Sequence, residues 1–262
     1  MNPFRFNKAK KFMNILSLAA IMLIISFGVS LAAEKVMLEY KYKMGDKFKY
    51  DITMNGTTLM ETNNNKGNAV VDVKMQVEQS VLHVNEKNSN IDIQTKILSG
   101  KAKNAEGVYD ELKNIGNTVY MTITKYGELL GATSYDSNYD PISVSISFPK
   151  EPVSVGKKWS TEVKQPIPMK IEYDFKEIKN HNGRKCAIID QEIKVGPEVK
   201  NITAKGSGKI YFDIARGVIL MVETSNDMKM DQEVANDSPH LGPAVKKVKT
   251  TISLKTKMEL VK

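Results

Sequence analysis

Val71-Asp-Val-Lys-Met-Gln-Val77, the polar run Asn85-Glu-Lys-Asn-Ser-Asn90 and Ile91-Asp-Ile-Gln-Thr-Lys-Ile97 decide the fold class. Apolar or threonine side chains recur at every second position of both flanking runs, with Asp, Lys and Gln between them. A backbone that sends successive side chains to opposite faces is a strand, and period two excludes the helical repeat of 3.6. The polar run is rich in Asn and Ser, which close turns through their own side chains. A β-hairpin with one wet face follows.

The same pattern extends in both directions. Tyr50, Ile52 and Met54 alternate before the turn Asn63-Asn-Asn-Lys-Gly67, and Ile171, Tyr173 and Phe175 alternate before Asn180-His-Asn-Gly183. Ile252, Leu254, Thr256, Met258 and Leu260 oppose Ser253, Lys255, Lys257 and Glu259. Strands wet on one face must fold their apolar faces together, so the chain reads as all-β, built of curved antiparallel sheets, half-barrel or barrel-like. Periodicity leaves half-barrel, closed barrel and sandwich open. Val108, Leu112 and Ile115 fall at helical intervals between Gly107 and Gly116, which predicts one short helix within Ala105–Ile115. Gly131–Pro141 and Ala235–Pro243 read as loops, the second as a mobile flap.

Phe148-Pro-Lys-Glu-Pro-Val-Ser-Val-Gly-Lys-Lys-Trp159 divides the chain. Proline lacks a backbone donor, so Pro149 and Pro152 end one run of pairing before Trp159 opens the next. Tyr42-Lys-Met-Gly-Asp-Lys-Phe48 matches Val153-Ser-Val-Gly-Lys-Lys-Trp159, with Gly45 answering Gly156 and Phe48 answering Trp159. Met121–Leu130 and Tyr211–Leu220 form a second pair of echoes. These predict an internal repeat of two similar lobes, 33–147 and 148–262, after a signal peptide over 1–32.

That leader begins with Arg5, Lys8, Lys10 and Lys11, continues through the apolar run Ile15–Val29, and ends in Ser30-Leu-Ala32. It reads as a cleavable secretory signal, cut after Ala32 or Ala33; an uncleaved anchor is the alternative. Its four basic side chains account for half of the net charge of +8. The remainder is too small and too scattered to point to nucleic acid, and Lys246-Lys-Val-Lys249 is the one tight basic cluster. One cysteine, Cys186, permits no internal disulfide, so stability comes from core burial in about 230 residues.

The chemistry-bearing residues do not converge in sequence. His83, His181 and His240 lack partners at metal-ligand spacing, so no metal and no cofactor is expected. Lys205-Gly-Ser-Gly-Lys209 lacks the first glycine and the hydroxyl residue of a phosphate loop, and no G-x-S-x-G elbow occurs. Asp110 with Glu111, and Asp136 with Asp140, supply the carboxylates of a hydrolase alternative. The chain reads as non-enzymatic. The unusual feature is fourteen methionines. Met54, Met75, Met169 and Met258 fall on apolar faces, where flexible thioethers can line a cavity for varied apolar ligands. Tyr126, Tyr135 and Tyr139 are candidates for its rim.

On the Phe148–Trp159 motif and its partner at Tyr42–Phe48, the chain resembles a family of exported bacterial β-rich proteins of unknown function, with the pattern Pro-Val-x-Val-Gly-x-x-Trp. The resemblance implies compartment and architecture but no catalytic residue. At the level of fold class it is similar to the periplasmic lipoprotein carriers, whose curved half-barrel holds acyl chains. The expectation is an extracytoplasmic protein, periplasmic or secreted, that binds an apolar small molecule, lipid or envelope partner on a curved sheet. The alternative is an envelope interaction module with a solid core.

Overall fold

The computed structural model describes residues 34–62, 65–134, 146–163, 168–196, 199, 201–233 and 247–261. Among them are strands β1 (Lys47–Thr62), β2 (Lys66–Val84), β3 (Asn90–Lys103), β4 (Tyr109–Glu111), β5 (Thr118–Thr124) and β6 (Leu129–Ser134). The second half adds β7 (Lys158–Val163), β8 (Met169–His181), β9 (Arg184–Val195), β10 (Ile202–Asp213), β11 (Val218–Glu233) and β12 (Lys247–Leu260). All belong to one antiparallel sheet in the order β6-β5-β3-β2-β1-β12-β11-β10-β9-β8-β7, with β4 on β3. The halves join where β1 pairs with β12, from Tyr50 opposite Leu260 to Thr62 opposite Val248.

Local chemistry sets the turns. Asn85 Oδ1 accepts from the backbone N–H of Lys87 and Asn88, closing the β2–β3 hairpin. Asn182 and Gly183 both take positive φ, 51° and 78°, the two-residue turn that matches the twist of paired strands. At several places on the polar face opposite charges stand directly across strands, although like charges also meet, as at Glu172 and Glu192. Lys209 lies between Glu223 and Asp190, and Lys249 between Glu61 and Asp231. Each exposed pair contributes little to stability, but a one-residue slip would turn the charges into the core, so together they fix register.

Two connections cross the apolar face at one end. In the first, Tyr40 N–H donates to Lys125 O at 2.7 Å and the Tyr40 ring meets Phe212 edge-on at 5.8 Å. Lys125 follows β5 and Phe212 lies on β10, six strand positions away. In a flat sheet they would be about 29 Å apart. One residue reaches both, so the sheet is rolled here. The second connection bridges its two edges. Phe148 N–H donates to Tyr126 O at 2.7 Å beside β6, and Trp159 Nε1 on β7 donates to Ser147 O at 2.8 Å. Val36 and Val153 exchange backbone hydrogen bonds, tying the straps to each other. Leu38, Tyr40, Tyr42 and Phe148 fill the core they enclose with Tyr50, Phe175 and Phe212.

Gly127 and Gly217 make room for the straps. A Cβ on Gly127 would strike Ile146 O and the Tyr40 ring, and one on Gly217 would strike Glu39 O and Lys41 N. Both lie in tight turns, at φ 82° and 65°.

The expected helix within Ala105–Ile115 does not form. Asn104 Oδ1 accepts from Glu106 and Val108 N–H, closing a turn, and Tyr109–Glu111 pairs with β3. Gly107 at φ 84° breaks the helical path, and Val108 and Ile115 are left exposed where a helix would have buried one stripe. Of the expected loop at Gly131–Pro141, Gly131–Ser134 is instead strand, completing β6 against β5; the rest lies outside the described residues, as do the leader and the Ala235–Pro243 flap. The closed barrel is also excluded, because β6 and β7 do not pair and a strap stands between them.

Candidate functional site

Beyond the strapped core the apolar face continues across the sheet, met by a strap among the described residues only at its Tyr173–Trp159 end, where both side chains bond Ser147. Its buried row is Ile52, Met258, Ile210, Ile189 and Phe175. The register builds the next row as Val73, Met54, Thr256, Thr224, Gly208, Gln191, Tyr173 and Trp159, running from β2 to β7. Leu254, Asn226, Gly206, Ile193 and Ile171 form the row after that. Most of these side chains are half-buried. No Lys, Arg, Asp or Glu falls on this face in either row.

The two rows are not uniformly apolar. Thr256, Thr224, Asn226 and Gln191 form a neutral polar stripe over β12 to β9, with Met54 and Leu254 on one side and Ile171, Tyr173 and Trp159 on the other. Glycine in β10 explains how the amides fit. A Cβ on Gly206 would collide with Asn226 Oδ1, and one on Gly208 would press on Gln191 Nε2 at 2.7 Å. The amides lie over bare backbone. Asn226 Nδ2 donates to Thr224 Oγ1 at 3.3 Å. The Gln191 and Thr256 side chains make no hydrogen bond with another described residue.

The predicted site residues divide. Met54, half-buried, lies one row from Met75 and Met258, which flank Ile52 on either side, so these three are brought together. Met169, at the start of β8 opposite Val163 and Val195, lies across the sheet from them. Tyr126 sits in the β5–β6 turn at the strapped end, its ring 5.0 Å from Lys125 Nζ. Tyr135 and Tyr139 lie outside the described residues, as do Asp136, Asp140 and His240. Asp110 Oδ2 accepts from Asn104 Nδ2 at 2.9 Å within a surface turn. Cys186 is fully buried, and burial raises its thiol pKa, which makes it a packing residue. The stripe was missed in sequence, although alternating Gly206-Ser-Gly208 in an otherwise regular strand marks a place where side chains from neighbouring strands lie over the backbone.

An open trough of about 850 Å³ lies on the opposite, charged face, along Asp190, Glu192, Lys205, Lys209, Glu223 and Lys255. Its acids and lysines face one another across strands, so it presents no net charge to a ligand. Lys205–Lys209 is there part of β10, with its backbone committed to the ladder, which leaves no phosphate cradle. Among the described residues no His, Cys, Asp and Glu group has metal-binding geometry, and no helix is long and apolar enough to cross a membrane.

No protein-family model and no curated protein matches the chain, so the family resemblance read from the Phe148–Trp159 motif and its partner at Tyr42–Phe48 gains no support from either comparison. Solved structures that overlap with the chain include the following two. Lipovitellin, in a structure describing its lipid–protein interactions, matches at TM-score 0.49 and 11% identity over 85% of this chain. The chain spans only 26% of lipovitellin. The hypothetical lipoprotein YmcC from Escherichia coli K12 matches at TM-score 0.28 and 12% identity, over 92% of this chain and 96% of its own. Both scores fall below 0.5, and the functional reading rests on the geometry of this chain.

Proposed function

We propose that this is an exported, non-enzymatic binding protein that holds an apolar ligand against the uncharged face of its rolled sheet. One observation carries the reading: two rows of mostly half-buried side chains carry no charge from Val73 to Trp159 and, apart from the Tyr173–Trp159 end that meets the second strap at Ser147, are not covered by the straps that seal the core beside them. Exposed apolar surface of that continuity is a cost to a soluble protein unless something binds there. The leader Arg5–Ala32 supports an extracytoplasmic setting, and the paired echoes in the two halves support descent from a duplicated unit.

Neighbouring residues on opposite faces test it. Leu254→Lys places a cation on the binding face, and Ser253→Lys places the same cation in water one residue away. In a titration with a fluorescent hydrophobic dye, Leu254→Lys is expected to weaken saturable binding at least tenfold and Ser253→Lys to leave it unchanged. Equal effects, or no saturable binding by the folded wild type, would remove the proposal.

A second reading, docking of an envelope protein on a sheet edge, has its own observation. Strand β6 exposes Leu129 and Leu130 and carries no charged residue, whereas the opposite edge β7 carries Lys158, paired with Asp174 at 3.4 Å. Charged edges resist strand addition and uncharged ones permit it. Leu130→Lys should then abolish recovery of a partner from envelope extracts while leaving dye binding intact; recovery unaffected by the change would count against it.

A further inference from the structure

Resting on the apolar-face reading, we infer that the ligand is an uncharged amphiphile whose polar group is an amide, ester or hydroxyl, and that ionised fatty acids are excluded. The argument is one of charge. An ionised carboxylate drawn onto an apolar surface must find a cation or several hydrogen-bond donors, or remain in water. Neither row offers a Lys or Arg. The charged side chains of the same strands, among them Lys205, Lys209, Lys255 and Lys257, point to the opposite face by the period of the strand.

What the face offers instead is matched to a neutral polar group. Gln191 supplies an amide with two donors and an acceptor, and Thr256 supplies a hydroxyl, neither engaged with another described residue. They lie in one row, on either side of Thr224 and Gly208. From β12 to β9 the stripe is about 14 Å wide, and apolar side chains extend from both of its ends. A ligand lying across it would pair its amide or ester at the centre and lay hydrocarbon on Met54 and Leu254 to one side and on Ile171 and Tyr173 to the other.

Trp159, the only tryptophan, closes the row beside Tyr173, with ring centroids 5.4 Å apart, and reports occupancy directly. Bromine quenches indole fluorescence on contact, so dibromostearamide, dibromostearic acid and dibromooctadecane can be compared on the protein expressed with its leader in a bacterial host. The amide is expected to quench Trp159 saturably at neutral pH, at a concentration about tenfold below the acid. Acidifying until the carboxyl is neutral should erase that difference. Gln191→Arg should bring the acid to parity or better, and Glu192→Arg, on the opposite face, should change nothing. Equal affinity for acid and amide in the wild type, or an unchanged preference in Gln191→Arg, would overturn the assignment of ligand class. Quenching by the hydrocarbon in that case would leave the binding face standing. Failure of all three probes would remove both, and a dimer in sedimentation without quenching would show that a second copy covers the face.

Discussion

Gly217→Ala is expected to lower stability by about 3 kcal/mol or more, a fall in Tm of about 6–12 °C for a domain of this size. Two costs combine. An alanine at φ 65° loses about 1 kcal/mol relative to glycine, and its Cβ would run into the backbone of the first strap at Glu39 and Lys41. The strap cannot yield without pulling Leu38, Tyr40 and Tyr42 from the core. Gly127→Ala should behave alike, because its Cβ would strike Ile146 O in the second strap. Gly45 and Gly156 provide the control, with φ of 87° and 89° and open space where a Cβ would sit. Alanine there should cost only the conformational part, about 1–2 kcal/mol. Chemical denaturation of the four variants separates the terms; if Gly217→Ala is no worse than Gly156→Ala, the straps do not lock the sheet.

The second large effect appears at alkaline pH. Tyr40, Tyr42, Tyr50 and Tyr173 are buried, and desolvation raises all four phenols well above the ordinary value of 10.0. Two of these hydroxyls, on Tyr40 and Tyr173, bond the backbone of the second strap at Ile146 and Ser147, and that of Tyr50 bonds β11. Ile146 N–H donates to Tyr40 at 2.9 Å, and Tyr50 donates to Ile219 O at 3.3 Å. A group whose pKa is raised by folding leaves stability intact below the unfolded value. Above it the unfolded chain releases the proton that the folded chain retains, and stability falls as pH rises. The loss should begin near pH 10 and reach a slope of up to about 5 kcal/mol per pH unit with four such groups. Phenolate absorbance followed beside far-UV circular dichroism should show these tyrosines ionising only as the sheet unfolds. Ionisation of every tyrosine before loss of the sheet would contradict the core described here.

The hairpins were legible in sequence because their signals are local. The turns Asn85–Asn90 and Asn180–Gly183 carry their own closure chemistry, and period two fixes which side chains share a face. The β1–β12 pairing was not legible, because it joins strands from opposite ends of the chain and any strand with that period could satisfy it. Val108, Leu112 and Ile115 misled for a different reason. Their spacing fits a helix, yet Leu112 N–H is taken by Gly100 O at 3.0 Å, and the bare Gly100 lets the Leu112 side chain lie against β3. The second strap read as a break between two runs of pairing, since Pro149 and Pro152 lack ladder donors, and only the rolled sheet shows what the straps cross.

At the candidate site the same limit applies. The apolar positions of Met54, Met75 and Met258 were readable, whereas their convergence depends on the β2-β1-β12 order. The neutral stripe combines side chains from three strands, β12, β11 and β9, over the bare glycines of β10; no local pattern connects them, and Gly206-Ser-Gly208 was its only mark in the sequence.

Native mass spectrometry of the protein expressed with its leader in a bacterial host, repeated after denaturation and on the Leu254→Lys variant, tests the central claim most directly. The expected result is a wild-type chain carrying a non-covalent mass of lipid size that denaturation releases and that Leu254→Lys lacks. A bare wild-type chain, or an adduct retained equally by Leu254→Lys, would contradict ligand binding on the uncharged face.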